Sequence, residues 1–207
     1  GSDKDGVLWG WDFLKDVALG ETFDMTGDVV VVGGGNVAID VALTARRLGA
    51  KNVGLFCLET REEMPAHAWE IARAEEEGVV IHNGWGPVEV IGDKTATGLR
   101  FQKCLSVFDN TCIFNPEFDA ETTEKANASA VILAVGQTAE LGYVEGQTGI
   151  DAANGRIAVS DTQVTSDAAV FAGGDVVSGP DSIINAIMQG RKAAGTMDAY
   201  LGGDGDI

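Results

Sequence analysis

A chain of 207 residues with 28 glycines and a formal net charge of −18 is long enough to bury a real core, and its charge disfavours nucleic acid and anionic membranes as partners. No apolar run reaches the roughly 18 residues of a membrane span. Residues 1–20 mix acidic residues with two tryptophans, where a leader would be basic and then apolar.

Residues 1–21 read as a lead-in carrying one helix. Trp9, Phe13 and Val17 recur every fourth residue, with Leu14 beside them, which makes one face apolar. "DVVVV", 28–32, is a continuous β-branched run, the mark of a strand buried on both faces. "GGGNVAIDVALTARRLG" follows as a helix with Val37, Val41 and Leu48 near one face and Gly49 where a helix-ending glycine belongs. Residues 53–58 form the next strand, 66–78 a second helix ended by Gly78, and 79–82 a third strand. This β-α-β-α-β order predicts an α/β fold with a parallel sheet and right-handed crossovers.

The character changes near residue 86. "PVEVIGD" and "TATGLRFQKCLSVFD" predict antiparallel strands joined by a turn at Gly92-Asp93-Lys94, the start of a β-meander. Residues 109–128 are polar and read as a loop with a ragged strand. "SAVILAVGQ", 129–137, returns to a buried strand. Beyond Gln137, "GRIAVSDTQVTS" suggests short strands and turns, "AAVFAGGD" (168–175) another buried strand, and residues 182–201 a long amphipathic helix with Ile183, Ile187 and Ala194 on or near one face.

Gly33-Gly34-Gly35-Asn36-Val37-Ala38 matches G-x-G-x-x-G/A. The match is informative because it follows a strand, opens a helix and lies within a β-α-β unit. The first glycine permits the tight turn, the second lets backbone approach a diphosphate, and Ala38 allows close helix–sheet packing. The helix N-terminus supplies free N–H groups for the anion. Glu59 stands 26 positions after Gly33, where an acid can accept hydrogen bonds from an adenosine ribose.

Cys57, Cys104 and Cys112 form no C-x-x-C pair, so no zinc site or disulfide framework is expected, and the pattern fits a reducing, cytoplasmic compartment. Cys57 reads as core, whereas Cys104 is open to two readings, a small hydrophobe or a reactive thiol. His67 and His82 are lone histidines without a ligand pattern, and no metal is expected.

"VVVVGGGNVAIDVALTARRLGA", "REEMPA", "AEEEGV", "VILAVGQ" and "VFAGGDVVSGP" together resemble the glutamate synthase small-subunit group of flavin- and pyridine-nucleotide-dependent oxidoreductases, from about Asp5 to Gly203. That resemblance implies a Rossmann-like NAD(H)-binding domain at 22–137 and the C-terminal part of a split FAD-binding domain at 138–207. It implies cofactor-binding roles for Gly33, Gly34, Gly35, Asn36, Val37, Glu59, Arg61, Gly136, Gly174 and Asp175, with Asp175 at the FAD ribityl-phosphate region. The helix after Gly179-Pro180 would aim its N-terminus at the flavin. No side chain is assigned to bond making, since hydride transfer is the cofactors' chemistry.

Two features depart from the family pattern. Only 27 residues precede the strand at 28 and none forms the separate G-x-G-x-x-G unit for the ADP half of FAD, nor are the iron–sulfur cysteines of many members present. The expected partner is therefore a missing N-terminal FAD-binding half or a partner subunit, with self-association through the C-terminal segment as another outcome. NADP-using relatives commonly carry two arginines where this chain has Leu58 and Glu59, so NAD(H) is expected over NADP(H). An alternative is that Arg61 captures a 2′-phosphate. A non-catalytic nucleotide-binding or sensor module, or a pure interaction domain, are the competing functions.

Overall fold

The computed structural model describes residues 1–144 and 149–206, and they divide into two units, Gly1–Gly136 and Gln137–Ile207. The first unit is built on a five-stranded parallel sheet. In chain order its elements are β1 (Val7–Trp9), α1 (Gly10–Ala18), β2 (Asp28–Val32), α2 (Asn36–Arg47), β3 (Asn52–Cys57), α3 (Ala68–Glu76), β4 (Val79–Asn83), β5 (Trp85–Ile91), β6 (Gly98–Phe108), β7 (Phe114–Asn127) and β8 (Ala130–Leu133). The sheet order is β1-β8-β2-β3-β4, with every neighbour parallel.

The β-branched run explains the layering. Successive residues of a strand point to opposite faces. Val29 and Val31 pack with Phe13, Ile39, Val41, Leu55 and Ile71 on the helical side. Val30 and Val32 pack with Phe56, Val131, Leu99 and Phe101 on the side covered by the antiparallel sheet β5-β6-β7. β2 is therefore sandwiched between two apolar layers, and an uninterrupted valine run is what such a strand needs.

Three local readings change. Residues 7–9, expected within the lead-in, form an edge strand on β8, and three residues are too few to show a period. Residues 114–127 form one 14-residue strand on β6, longer than the expected loop with a ragged strand, though its pairing is indeed interrupted by register shifts. They lie at the sheet edge and are mostly exposed, so no buried alternation is written into them. β4 extends one residue past the expected 79–82, to Asn83.

The second unit contains the two-residue strands β9 (Ala152–Ala153) and β10 (Arg156–Ile157), the short helix α4 (Asp175–Ser178) and the long helix α5 (Ile183–Tyr200). β9 and β10 are joined by Asn154 and Gly155, both at positive φ (54° and 71°), the signature of a tight hairpin turn. A small core forms around Leu141, Val144 and Ile157. "AAVFAGGD", expected as a buried strand, is reduced to one bridge between Phe171 and Val164. Within the described residues of this unit no sheet receives it, and its residues 168 and 169 are exposed.

Candidate functional site

The glycine loop joins β2 to α2 at the C-terminal edge of the parallel sheet. Gly33 N–H donates to the carbonyl of Phe56 at 2.9 Å, and its φ is 140°. A side chain there would drive into the Ala134 carbonyl, so the position demands glycine for both backbone and space. A Cβ on Gly34 would meet Glu59 Oε2 at 2.5 Å and Cys57 Cβ at 3.2 Å. On Gly35 the nearest atom would be Pro65 Cγ at 3.9 Å, so this glycine faces open space. Gly35 is also the N-cap of α2. Its own lack of a side chain leaves the first-turn N–H groups without a side-chain cap, and no acid sits in that turn. Such a helix end attracts an anion.

Glu59 closes the other side of the loop. It lies just past β3, half-buried, with its carboxylate against Gly34. Its main-chain carbonyl accepts from Asn83 Nδ2 and from Gly84 N–H, each at 3.1 Å. The segment after it then straps across the glycine loop. Ala66 N–H donates to the Gly34 carbonyl at 3.2 Å, and His67 N–H donates to Asn36 Oδ1 at 2.9 Å. Met64 and Ala66 are buried in the helical-side core, which holds the strap down. Val37 packs half-buried against the same core.

Sequence-marked residues thus fall into separate groups. Gly33, Gly34, Gly35, Asn36, Val37 and Glu59 converge at one edge. Arg61 stands on the strap, but both arms of its guanidinium engage Glu75 of α3, at 2.9 and 2.7 Å. Gly136 follows β8, with φ 105° and nothing within 4 Å of a would-be Cβ; its backbone, not crowding, calls for glycine. Gly174 and Asp175 belong to the second unit. Gly174, at φ 78°, donates its N–H to Gln189 Oε1 at 2.6 Å, and Asp175 opens α4, exposed. Asp175 lines a cleft of about 270 Å³ with Gln137, Thr138, Asn154, Arg156 and Gly179. At the start of α5, the Ser182 hydroxyl accepts from Asn185 N–H at 3.3 Å.

The anion-binding loop and the acid beside it fit the diphosphate and ribose of a dinucleotide, since no side chain fills the cradle. The cleft at Asp175 is smaller than the roughly 300–1,000 Å³ of a complete ligand pocket. Asn83, Gly84 and the Ala66–His67 strap carry no sequence signal. They act through bonds between segments distant in the chain.

The remaining sequence candidates are structural. Burial and the Glu59 charge push the Cys57 thiol up to about 12. Cys104 is buried, donates to the Ser106 carbonyl at 3.3 Å, and is also held above its ordinary value by burial. Its burial accords with the small-hydrophobe reading, since reactive cysteines are partly exposed. His82 stacks on Phe56, ring centroids 4.2 Å apart. His67 has an exposed side chain near Trp69. Among the described residues no group of His, Cys, Asp and Glu could hold a metal, and no helix is long and apolar enough to cross a membrane.

Residues 10–190 match the family model described as pyridine nucleotide-disulphide oxidoreductase. The chain is 37% identical over 202 residues to the NADP(+)-dependent formate dehydrogenase subunit beta of Moorella thermoacetica, covering 95% of this chain and 28% of that protein. It is 32% identical over 216 residues to the glutamate synthase [NADPH] small chain of Azospirillum brasilense, covering 97% and 45%. It is 33% identical over 195 residues to the NAD-dependent dihydropyrimidine dehydrogenase subunit PreT of Escherichia coli K12, covering 93% and 42%. The chain spans less than half the length of each of these relatives. In fold it is similar to the thioredoxin reductase of T. acidophilum, with TM-score 0.74 at 21% identity over 95% of this chain and 58% of that one. It is also similar to Mycobacterium tuberculosis FprA in complex with NADPH, with TM-score 0.77 at 15% identity over 98% and 60%. A strand-buried glycine loop opening α2, the matched 181-residue span and the likeness to glutamate synthase small chains converge on one conclusion: the chain belongs to the pyridine nucleotide-disulphide oxidoreductase family.

Proposed function

We propose that the complete protein is an FAD-dependent oxidoreductase that passes hydride between NAD(H) and a flavin. This chain supplies its nicotinamide-dinucleotide-binding unit and the C-terminal part of its flavin-binding domain. The N-terminus of α2 binds the diphosphate, and the open face at Gly35 lets the backbone approach it. Glu59 accepts hydrogen bonds from the adenosine ribose. Gly174 and Asp175 receive the ribityl-phosphate region of FAD, and Gly136 lies where the chain leaves the dinucleotide unit. The bound nicotinamide and flavin supply the hydride chemistry. The protein's residues orient and enclose, and none is assigned a proton or a covalent bond. The rest of the flavin domain, or a partner subunit, is needed to complete the second site; the relatives named above as subunits or small chains are in keeping with that.

The observation that carries the reading is the Glu59 carboxylate against Gly34. It also supports NADH over NADPH, although relatives with either nucleotide in their names are found. A 2′-phosphate carries a charge of about −1.5 to −2. Beside a carboxylate it meets repulsion of about 1–4 kcal/mol per charge pair, for effective dielectrics between water and a protein surface. Arg61 could offset this only by leaving Glu75. That exposed pair is worth only about 0–1 kcal/mol and holds Arg61 weakly, so the preference rests on the Glu59 carboxylate beside Gly34. Titrating the chain with NADH and NADPH should give a preference for NADH of about 100-fold or more, about 2.7 kcal/mol. Leu58→Arg with Glu59→Arg should shift binding toward NADPH, because two guanidinium forks suit a phosphate. Equal or tighter binding of NADPH by the unaltered chain sinks the assignment.

A further inference from the structure

We infer that Asn83 is the positioning residue through which Glu59 discriminates between nucleotides. The inference rests on the ribose reading of Glu59. Asn83 ends β4 and is the register partner of Cys57, the last residue of β3. Two residues past Cys57 the chain has left the sheet, and its own strand offers it only the weak thiol donor of Cys57, whose Sγ lies 3.7 Å from the Glu59 carbonyl oxygen. The clamp comes from β4 instead. Asn83 Nδ2 donates to the Glu59 carbonyl at 3.1 Å and lies 3.3 Å from Cys57 Sγ. The neighbouring Gly84 N–H donates to the same carbonyl at 3.1 Å. These two N–H donors, with the weaker Cys57 thiol beside them, hold the Glu59 peptide in one orientation.

The orientation matters because a glutamate has three side-chain torsions and reaches many places from a mobile backbone. Its carboxylate meets Gly34 only while the main chain at residue 59 is fixed. The far end of the strap is tied separately, at Ala66 and His67. Those bonds seat the strap on the glycine loop but lie seven or more residues from the carboxylate. At the near end Asn83 gives the Glu59 carbonyl its stronger side-chain bond, the Cys57 thiol being a weak donor at 3.7 Å. A residue in this role controls selectivity rather than general affinity, since the diphosphate and the α2 N-terminus do not depend on it.

The alternative, that Asn83 only satisfies a strand end, makes a different prediction. The full chain is titrated with NADH and NADPH as the unaltered protein, as Asn83→Ala, as Glu59→Ala and as the double variant. Asn83→Ala should cut the NADH preference about tenfold, the effect of one lost, part-buried hydrogen bond, almost wholly through weaker NADH binding. In the Glu59→Ala background the same change should move the ratio less than about twofold, as coupled residues require. Equal weakening of both nucleotides, or an unchanged ratio, overturns the inference while leaving the Glu59 reading intact. If Glu59→Ala itself leaves the ratio unchanged, the Glu59 reading fails and the role of Asn83 falls with it. Should Asn83→Ala unfold, hydrogen exchange on the unaltered chain decides. Saturating NADH should slow exchange of the Gly84 amide several-fold more than saturating NADPH does, and equal or no slowing overturns the proposal.

Discussion

The two units of this chain treat apolar sequence in opposite ways. In residues 1–136 the valines of β2 alternate between a helical layer and an antiparallel sheet, and both faces of the parallel sheet are covered. In the second unit the core found among the described residues is a small cluster at Leu141, Val144 and Ile157. Helix α5 leaves Ile183 80% exposed, Ile184 77% and Ile187 65%. "AAVFAGGD" has the composition of a buried strand and only a bridge to pair with. Among the described residues the first unit closes its own core, whereas the second leaves much of its apolar surface exposed. Contiguous exposed apolar surface of this kind marks an interface.

The contrast can be broken most directly by assembly. We expect the chain to self-associate through α5, with Ile183→Glu and Ile187→Glu together returning it to a monomer in light scattering. We also expect it to leave gel filtration without stoichiometric flavin, as follows from the proposal that this chain supplies only the C-terminal part of a flavin-binding domain. A monomeric unaltered chain, with hydrogen-exchange protection equal in both units, would remove the contrast altogether. Flavin retained at one equivalent would show that the second unit is complete on its own.

Core substitutions sharpen it next. Ile39 is fully buried between α2 and the sheet, and Ile39→Ala should cost about 2–5 kcal/mol. Ile157, in the small cluster, has fewer neighbours to lose and more freedom to collapse, so Ile157→Ala should cost about 1 kcal/mol or less on the same scale. Denaturant unfolding followed by hydrogen exchange separates the two units. Similar costs would mean that the second unit is as tightly closed as the first.

The last effect, felt only in alkaline solution, is a pH dependence confined to the first unit. Burial raises the Cys57 thiol from 9.0 to about 12. Between those values the unfolded chain loses the proton that the folded chain keeps, so folding is disfavoured as pH rises. The stability the neutral thiol contributes is complete below about pH 9 and declines by up to about 1.4 kcal/mol per pH unit toward 12. Cys57→Val should flatten that slope relative to the unaltered protein in denaturant melts, while Cys112, the exposed cysteine, remains the one readily alkylated near neutral pH. A slope unchanged by Cys57→Val refutes the assignment.

Much of the first unit was legible because its signals are local. A β-branched run, a glycine triplet and a helix-ending glycine each depend on residues that are neighbours in the chain. Their β-α-β order implies parallel pairing because the crossovers permit little else. β1 and β7 were not legible. One is too short to show a period, and the other is an exposed edge strand whose polar residues carry no alternation. At the candidate site the sequence marked the glycine loop and Glu59 by spacing. The tertiary structure decided that the carboxylate rests on Gly34, that Arg61 is turned to Glu75, and that Asn83 holds the Glu59 carbonyl. Hydrogen bonds between residues 24 positions apart are set by strand register, and register emerges only when the whole sheet has formed.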